Sequence, residues 1–249
     1  MLAKAADSGA DEVVVDLEDG VAPADKDRAR SNLRLARARG TLAVRINKGS
    51  AADLEAAAAV AEVIVLPKVE SAEEVARVAA RLPEGVGLEV QIETARGLVE
   101  VEAIAASGGP LEALVFGPGD FAASLGVPVL TIGAGASEYA LARIAVAARA
   151  FGLQAIDGPH AALDDEAVLR VSAQRALELG YDGKWAIHPA QIETLHDVFT
   201  PSPEEIERAR TIVEADDGAI RLDGEMVDEA TKKLAAGVLA RAAGHDNGR

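Results

Sequence analysis

Cysteine is absent from the 249 residues, which excludes disulfides, thiolate metal sites and cysteine nucleophiles. Equally absent are a GxSxG elbow, a GxxxxGK[ST] phosphate loop and a GxGxxG turn after a strand. Gly117-Pro118-Gly119 is too short to cradle a dinucleotide. Basic residues are the minority, 25 against 41 acidic, for a formal net charge of −16. Such a surface repels phosphate backbones, so nucleic acid is not an expected partner. An anionic small substrate stays open, because it needs only a local cation or a metal. No apolar run approaches the roughly 18 residues of a membrane span, so no membrane is expected either. The start, Met1 to Asp7, lacks the apolar core of a signal peptide, and a cytoplasmic location is the expectation.

What remains is globular in character, with 49% hydrophobic and 27% charged residues. Short runs rich in Val, Ile and Leu recur at 13–17, 42–46, 63–66, 88–92, 113–116, 153–156 and 185–187. Near-continuous apolar character over so few residues suits parallel strands buried on both faces. Ala-rich, charge-bearing segments at 24–39, 51–60, 71–81, 95–107, 135–150 and 164–179 read as helices between them. Ser71 three residues before Glu74 is a capping-box candidate, and Gly40, Gly152 and Gly180 stand where helices should stop. This alternation means a parallel α/β fold, either a doubly wound open sheet or a TIM-type (β/α)8 barrel.

The placement of polar residues favours the barrel. Almost every strand ends in a chemically capable side chain: Asp16, Glu18 and Asp19, then Arg45 and Asn47, then Lys68, Glu93, Asp120, Asp157 and His188. All carboxyl ends converge on one mouth in a barrel, whereas an open sheet converges only at its switch point. The expected organisation is a barrel domain over 1–200 and a C-terminal helical extension over 201–249. That extension opens with Ser202 as a cap and closes with a helix from about Asp228 to Ala243; Asp216-Asp217-Gly218 and Asp223-Gly224 mark turns. It would pack on the barrel or on a neighbouring subunit.

Glu93 and Asp120 close neighbouring strands, the second after a glycine-rich turn. Magnesium takes one or two protein carboxylates and leaves its other positions to water or substrate oxygens, so the pair is read as metal ligands. Either residue alone would more often be a solvated acid or a helix cap. Arg45 sits in an otherwise apolar strand and needs a partner. It is either paired structurally with Asp16 or Glu18, or it is a fork for a substrate carboxylate or thioester oxygen. Asp16, Glu18 and Asp19 read as support for Arg45 or for metal-bound water. Lys68 could form a Schiff base, but nearby acids oppose the lowered pKa that this requires, and an electrostatic role is preferred. His188 precedes Pro189, a setting common for structural hydrogen bonding; no second histidine stands at ligand spacing, so it is not a metal ligand.

Six strings in one order carry a resemblance: DLEDGV (16–21), RIN (45–47), LPKVES (66–71), IET (92–94), FGPGDFAASLG (116–126) and YDGKWAIHP (181–189). Together they resemble the citrate lyase beta-subunit-like family, which contains malyl-CoA and citramalyl-CoA lyases. The resemblance implies Mg2+ held by Glu93 and Asp120, with Arg45 on the substrate carboxylate or thioester oxygen. Asp16, Glu18, Asp19, Lys68 and His188 would line the substrate site. It implies Asp228 as an acid/base reaching a neighbouring subunit in a homotrimer or a multiple of it, although the proline that often follows is replaced by Glu229-Ala230. The implied reaction is magnesium-dependent cleavage of a 3-hydroxyacyl-CoA to acetyl-CoA and a 2-oxo acid such as oxaloacetate, glyoxylate or pyruvate. Two alternatives stay open: a 4-hydroxy-2-oxo acid aldolase, and a non-catalytic binder of oxo acid or acyl-CoA. Family members usually open with a strand ending in a Pro-Gly loop, whereas Met1-Leu2-Ala3-Lys4 aligns inside the following helix, so a barrel lacking that strand is expected.

Overall fold

The computed structural model describes residues 5–127, 136–215, 218, 220–222 and 224–246. The expected turn residues Asp216, Asp217 and Asp223 lie outside these. The chain divides into two compact units, one through Leu195 and one from His196. The boundary falls a few residues before the expected one, inside the helix Ile192–Phe199.

The first unit is built on a seven-stranded, wholly parallel sheet: β1 (Glu12–Asp16), β2 (Thr41–Arg45), β3 (Val63–Leu66), β4 (Gly87–Ile92), β5 (Leu111–Phe116), β6 (Gln154–Asp157) and β7 (Gly183–Lys184). Strand order follows chain order from β1 to β7. A doubly wound sheet reverses order at its switch point, so this topology excludes it. The sheet also curls. Trp185, just past β7, packs on Ala43, Val63 and Val65 of β2 and β3, with Val14 of β1 beside them. The result is an α/β fold with a curled parallel sheet that fits a TIM-like barrel.

Helices α1 (Lys26–Asn32), α2 (Ala51–Ala58), α3 (Ala72–Ala79), α4 (Ala95–Val99), α5 (Val101–Ala105), α6 (Pro118–Ser124), α7 (Ala136–Ala150), α8 (Glu166–Glu178) and α9 (Ile192–Phe199) connect or follow the strands. Ser50, Ser71 and Thr94 cap α2, α3 and α4, each side chain accepting the backbone N–H three residues on. Gly152 and Gly180 end α7 and α8 with positive φ, as expected. Gly40 does not end a helix, because helical structure stops at Leu35. A Cβ at position 40 would instead lie 2.0 Å from the Asp11 carbonyl, so glycine is needed for close strand approach. The core holds Ile64, Leu88, Ile92, Leu114 and Ile144, all fully buried. Each such side chain contributes roughly 1.5–3 kcal/mol.

One part of the interior is not apolar. Glu89, two residues before Gln91 on the same face of β4, is 7% exposed, and its Oε2 has no hydrogen-bond partner among the described residues. Burial pushes the carboxyls of Glu89 and Glu12 well above the ordinary carboxylate range; the charges of Glu12 and Glu112 push Glu89 further, and that of Glu112 pushes Glu12 further. A raised acid favours the folded state only while it is neutral. Near pH 4 the groups cost nothing; as pH rises, the unfolded chain ionises first and stability falls. Glu89→Gln is therefore expected to gain on the order of 1–3 kcal/mol at pH 8.5 and little at pH 4.5. Urea unfolding at the two pH values checks this, and an equal change at both would refute it.

The second unit contains α10 (Pro203–Glu214), a hairpin of β8 (Ile220–Leu222) and β9 (Glu225–Val227), and α11 (Glu229–Asp246). Ser202 and Glu205 form a reciprocal capping box on α10. Ala209, Ile212, Val227 and Ala235 make a small core of their own. Among the described residues no helix is long and apolar enough to cross a membrane.

Candidate active site

Strand register brings the site's first pair together. Asp16 and Arg45 are partners in the β1–β2 ladder. The Arg45 guanidinium donates to both carboxylate oxygens of Asp16, from Nε at 2.8 Å and from one terminal nitrogen at 2.6 Å. Burial alone would raise the Asp16 pKa, but the bond to Arg45 reverses this and holds it below the usual range. The other terminal nitrogen lies 3.3 Å from Glu18 Oε2 and donates weakly to Gln91 Oε1 at 3.4 Å. That Glu18 oxygen is buried and outside hydrogen-bonding geometry. The guanidinium stands 5.7 Å from the centre of the Trp185 ring. Arg45 thus has the structural partner expected of it and still presents one fork nitrogen that is poorly satisfied.

The loop after β1 is latched from α1. Lys26 Nζ donates to the carbonyls of Leu17 and Glu18, both at 2.6 Å, and to Asn47 Oδ1 at 2.9 Å. Asn47 in turn donates to Asp53, a fully buried acid that also accepts from Arg30. Sequence reasoning missed Lys26, Asp53 and Gln91. Gln91 was open to inference, since alternation along β4 places it on the face of Glu93. Lys26 and Asp53 carry no motif of their own, and their bonds to Asn47 and Arg30 respectively span 21 and 23 residues of chain.

The two expected metal ligands face the same space. Glu93 is 2% exposed and its Oε1 accepts the Lys68 N–H at 2.9 Å. A Cβ at Gly117 would lie 2.2 Å from Glu93 Oε2, so only glycine lets the β5 loop pass this close. Pro118 then starts α6 and places Asp120 in its first turn, where the helix dipole favours an acid. Burial first, then the nearby charge of Asp120, push the Glu93 carboxyl up to about 7. A buried carboxylate raised by another carboxylate is a site short of positive charge. Among the described residues no three His, Cys, Asp or Glu side chains gather at metal-ligand spacing. The facing Glu93 and Asp120 carboxylates are a donor set that fits a hard divalent cation, with its other positions left to water or substrate oxygens.

Lys68 reaches into this space from the loop after β3. Its Nζ lies 2.5 Å from Glu18 Oε1, 3.2 Å from Asp19 and 3.3 Å from Asp120. Burial alone would lower its pKa, but the bonds to Glu18 and Asp19 outweigh that and raise it. A Schiff-base lysine needs the opposite shift.

Two other expected site residues bond within their own turns. His188 is exposed and its Nδ1 accepts the Ala190 N–H at 3.2 Å, capping its own turn. Asp228 caps α11, accepting the backbone N–H and hydroxyl of Thr231 at 2.9 and 3.0 Å. Those bonds hold its carboxyl below the usual range. At the other side of the site Asp157 and Lys184 form a buried ion pair, and Lys184 also donates to the Gly158 carbonyl at 2.7 Å.

Known proteins are similar to this chain in sequence and fold. An L-malyl-CoA/beta-methylmalyl-CoA lyase from Cereibacter sphaeroides is 36% identical over 284 aligned positions, covering 96% of this chain and 89% of the relative. A (3S)-malyl-CoA thioesterase from the same species is 37% identical, covering 97% and 90%. The crystal structure of CitE from Mycobacterium tuberculosis in complex with magnesium, acetoacetate and coenzyme A superposes with a TM-score of 0.84 at 35% identity, covering 97% of this chain and 92% of that one. With the family model for HpcH/HpaI aldolase/citrate lyase matching residues 1–189, the chain belongs to that family.

Proposed function

We propose that the protein is a magnesium-dependent carbon–carbon lyase, cleaving a 3-hydroxyacyl-CoA thioester such as malyl-, citramalyl- or citryl-CoA to acetyl-CoA and a 2-oxo acid. The observation that carries this is the buried Glu93 facing Asp120 at the mouth where Arg45, doubly bonded to Asp16, holds its remaining terminal nitrogen on Glu18 and Gln91 by long contacts of 3.3 and 3.4 Å. Strand order with β1 and β7 as edges supports the finer reading of a (β/α)8-type barrel, with one strand position between those edges.

Glu93 and Asp120 would hold Mg2+, which supplies Lewis-acid polarisation of the oxo-acid oxygens when bound. Arg45 orients the substrate through its carboxylate or thioester oxygen and opposes the negative charge that builds up in the transition state. In cleavage, a base takes the proton of the 3-hydroxyl and the bond between the carbinol carbon and the CH2 next to the thioester breaks. Its electron pair passes to the thioester as an enolate, which is reprotonated to acetyl-CoA. Asp228 is the acid/base we assign, acting on a second copy's site in a homotrimer or a multiple of it. The bonds from Thr231 keep this carboxylate ionised but lower its basicity, so the base role requires that cap to open. Asp16, Glu18, Asp19 and Lys68 set the charge around Arg45 and the metal, and His188 shapes the turn beyond β7.

The thioesterase relative favours a second reading, in which water attacks the thioester of malyl-CoA and the carbon chain stays whole. Purified protein offered malyl-, citramalyl- and citryl-CoA, with and without Mg2+, separates the two. Metal-dependent release of acetyl-CoA with an oxo acid, lost in Asp120→Ala, is expected. Free CoA with intact hydroxy acid would replace the lyase by the thioesterase.

A further inference from the structure

Among the described residues, Lys68 is the one non-glycine with a positive φ, 53°. A long side chain is disfavoured in that region, and such strain persists only where surrounding contacts over-determine it. Here three sets of contacts do so. The Lys68 N–H points at Glu93 Oε1 at 2.9 Å, and its carbonyl accepts from Lys48 Nζ at 2.6 Å. Its ammonium spans Glu18, Asp19 and Asp120. One residue therefore touches both carboxylates of the pair, Glu93 through the backbone and Asp120 through the side chain.

These two attachments act differently on a cation. The backbone N–H aims Glu93 whatever side chain stands at position 68. The ammonium neutralises Asp120 and must yield that contact before the carboxylate can serve another cation. Glu18 and Asp19 are already within reach to keep the ammonium paired when it does so. We propose that Lys68 is the internal counterion of the Glu93–Asp120 pair, competing with the divalent cation for Asp120 and setting its affinity, while its left-handed backbone positions Glu93. This rests on the reading that these two carboxylates hold a divalent cation.

The test is calorimetric titration of the full chain with Mg2+, comparing wild type with Lys68→Met, Lys68→Asn and Lys68→Arg. Asn tolerates the left-handed backbone, so it separates lost charge from misfolding. Removing a positive charge near 3 Å from a ligand oxygen should tighten Mg2+ binding by about tenfold or more in Met and Asn. Lys68→Arg keeps the charge and should stay within about threefold of wild type. Wild-type binding with no tightening, or with weakening, in both Met and Asn overturns the inference alone. Wild-type protein that takes up no Mg2+ overturns the metal reading, and this inference with it.

Discussion

Glu93→Gln is expected to abolish lyase activity, with kcat/KM falling by roughly 10³-fold or more, and to raise the stability of the metal-free protein. The two effects come from one cause. Glu93 is buried and its ordinary carboxyl value of 4.5 is pushed up to about 7, first by burial and then by Asp120. Above pH 7 the folded state holds an ionised carboxylate that it would rather hold neutral, which is a cost to folding. Glutamine keeps the shape beside Gly117 and the oxygen that accepts the Lys68 N–H, while removing the charge. In EDTA at pH 8 the variant should unfold with a gain on the order of 1–3 kcal/mol. Below about pH 4.5 the gain should vanish, because both states are then neutral. Without a carboxylate, however, one of the two protein ligands proposed for the metal is gone. Kinetics on the substrate that the panel identifies, with thermal unfolding at both pH values, read the two together. Activity within tenfold of wild type would remove Glu93 from the metal site.

The strand–helix alternation and the strand-end acids were legible because they are local. Six strands lie where apolar runs mark them, and Ser202 caps its helix as expected; Ser71 also caps, but the capping box expected with Glu74 is only half made, because the Glu74 carboxylate accepts the Glu70 N–H instead. β7 was misplaced by two or three residues: its pairing residues are Gly183 and Lys184, set by bonds from β6 rather than by the apolar run Trp185–Ile187. Helix α6 was hidden inside a string read for its chemistry, although Pro118 at its first position is a start signal. α4 and α5 were merged, and the break between them at Glu100 has no glycine or proline to announce it. In the site, Asp16 with Arg45 was readable because neighbouring parallel strands place equivalent ends together. Lys68 was read as electrostatic, but its positive φ and its backbone bond to Glu93 leave no trace in composition. Lys26 reaching Asn47 is likewise a product of the finished fold.

Lys184→Met is expected to destabilise the protein by about 3–5 kcal/mol, the usual range for breaking one side of a buried ion pair. Lys184 and Asp157 are 3% and 7% exposed, so water cannot replace the lost partner. The position magnifies the effect. Asp157 Oδ1 accepts the Gly158 N–H at 2.8 Å, and Lys184 holds the Gly158 carbonyl. A Cβ at Gly158 would lie 2.3 Å from the Phe116 carbonyl and 2.2 Å from the Pro118 ring, so this turn abuts the loop that carries Asp120. Loosening it should reach the metal pair as well as the global stability. Pairing the change with Asp157→Asn removes the stranded charge, and the double variant should recover more than half of the loss. Urea unfolding of the four proteins in the cycle measures this directly. Recovery confined to stability, with Mg2+ affinity still weakened, would show that the pair's geometry holds the Asp120 loop; recovery of both would assign the damage to the unpaired charge. Additive losses in the double variant would show that Lys184 and Asp157 stabilise the fold independently.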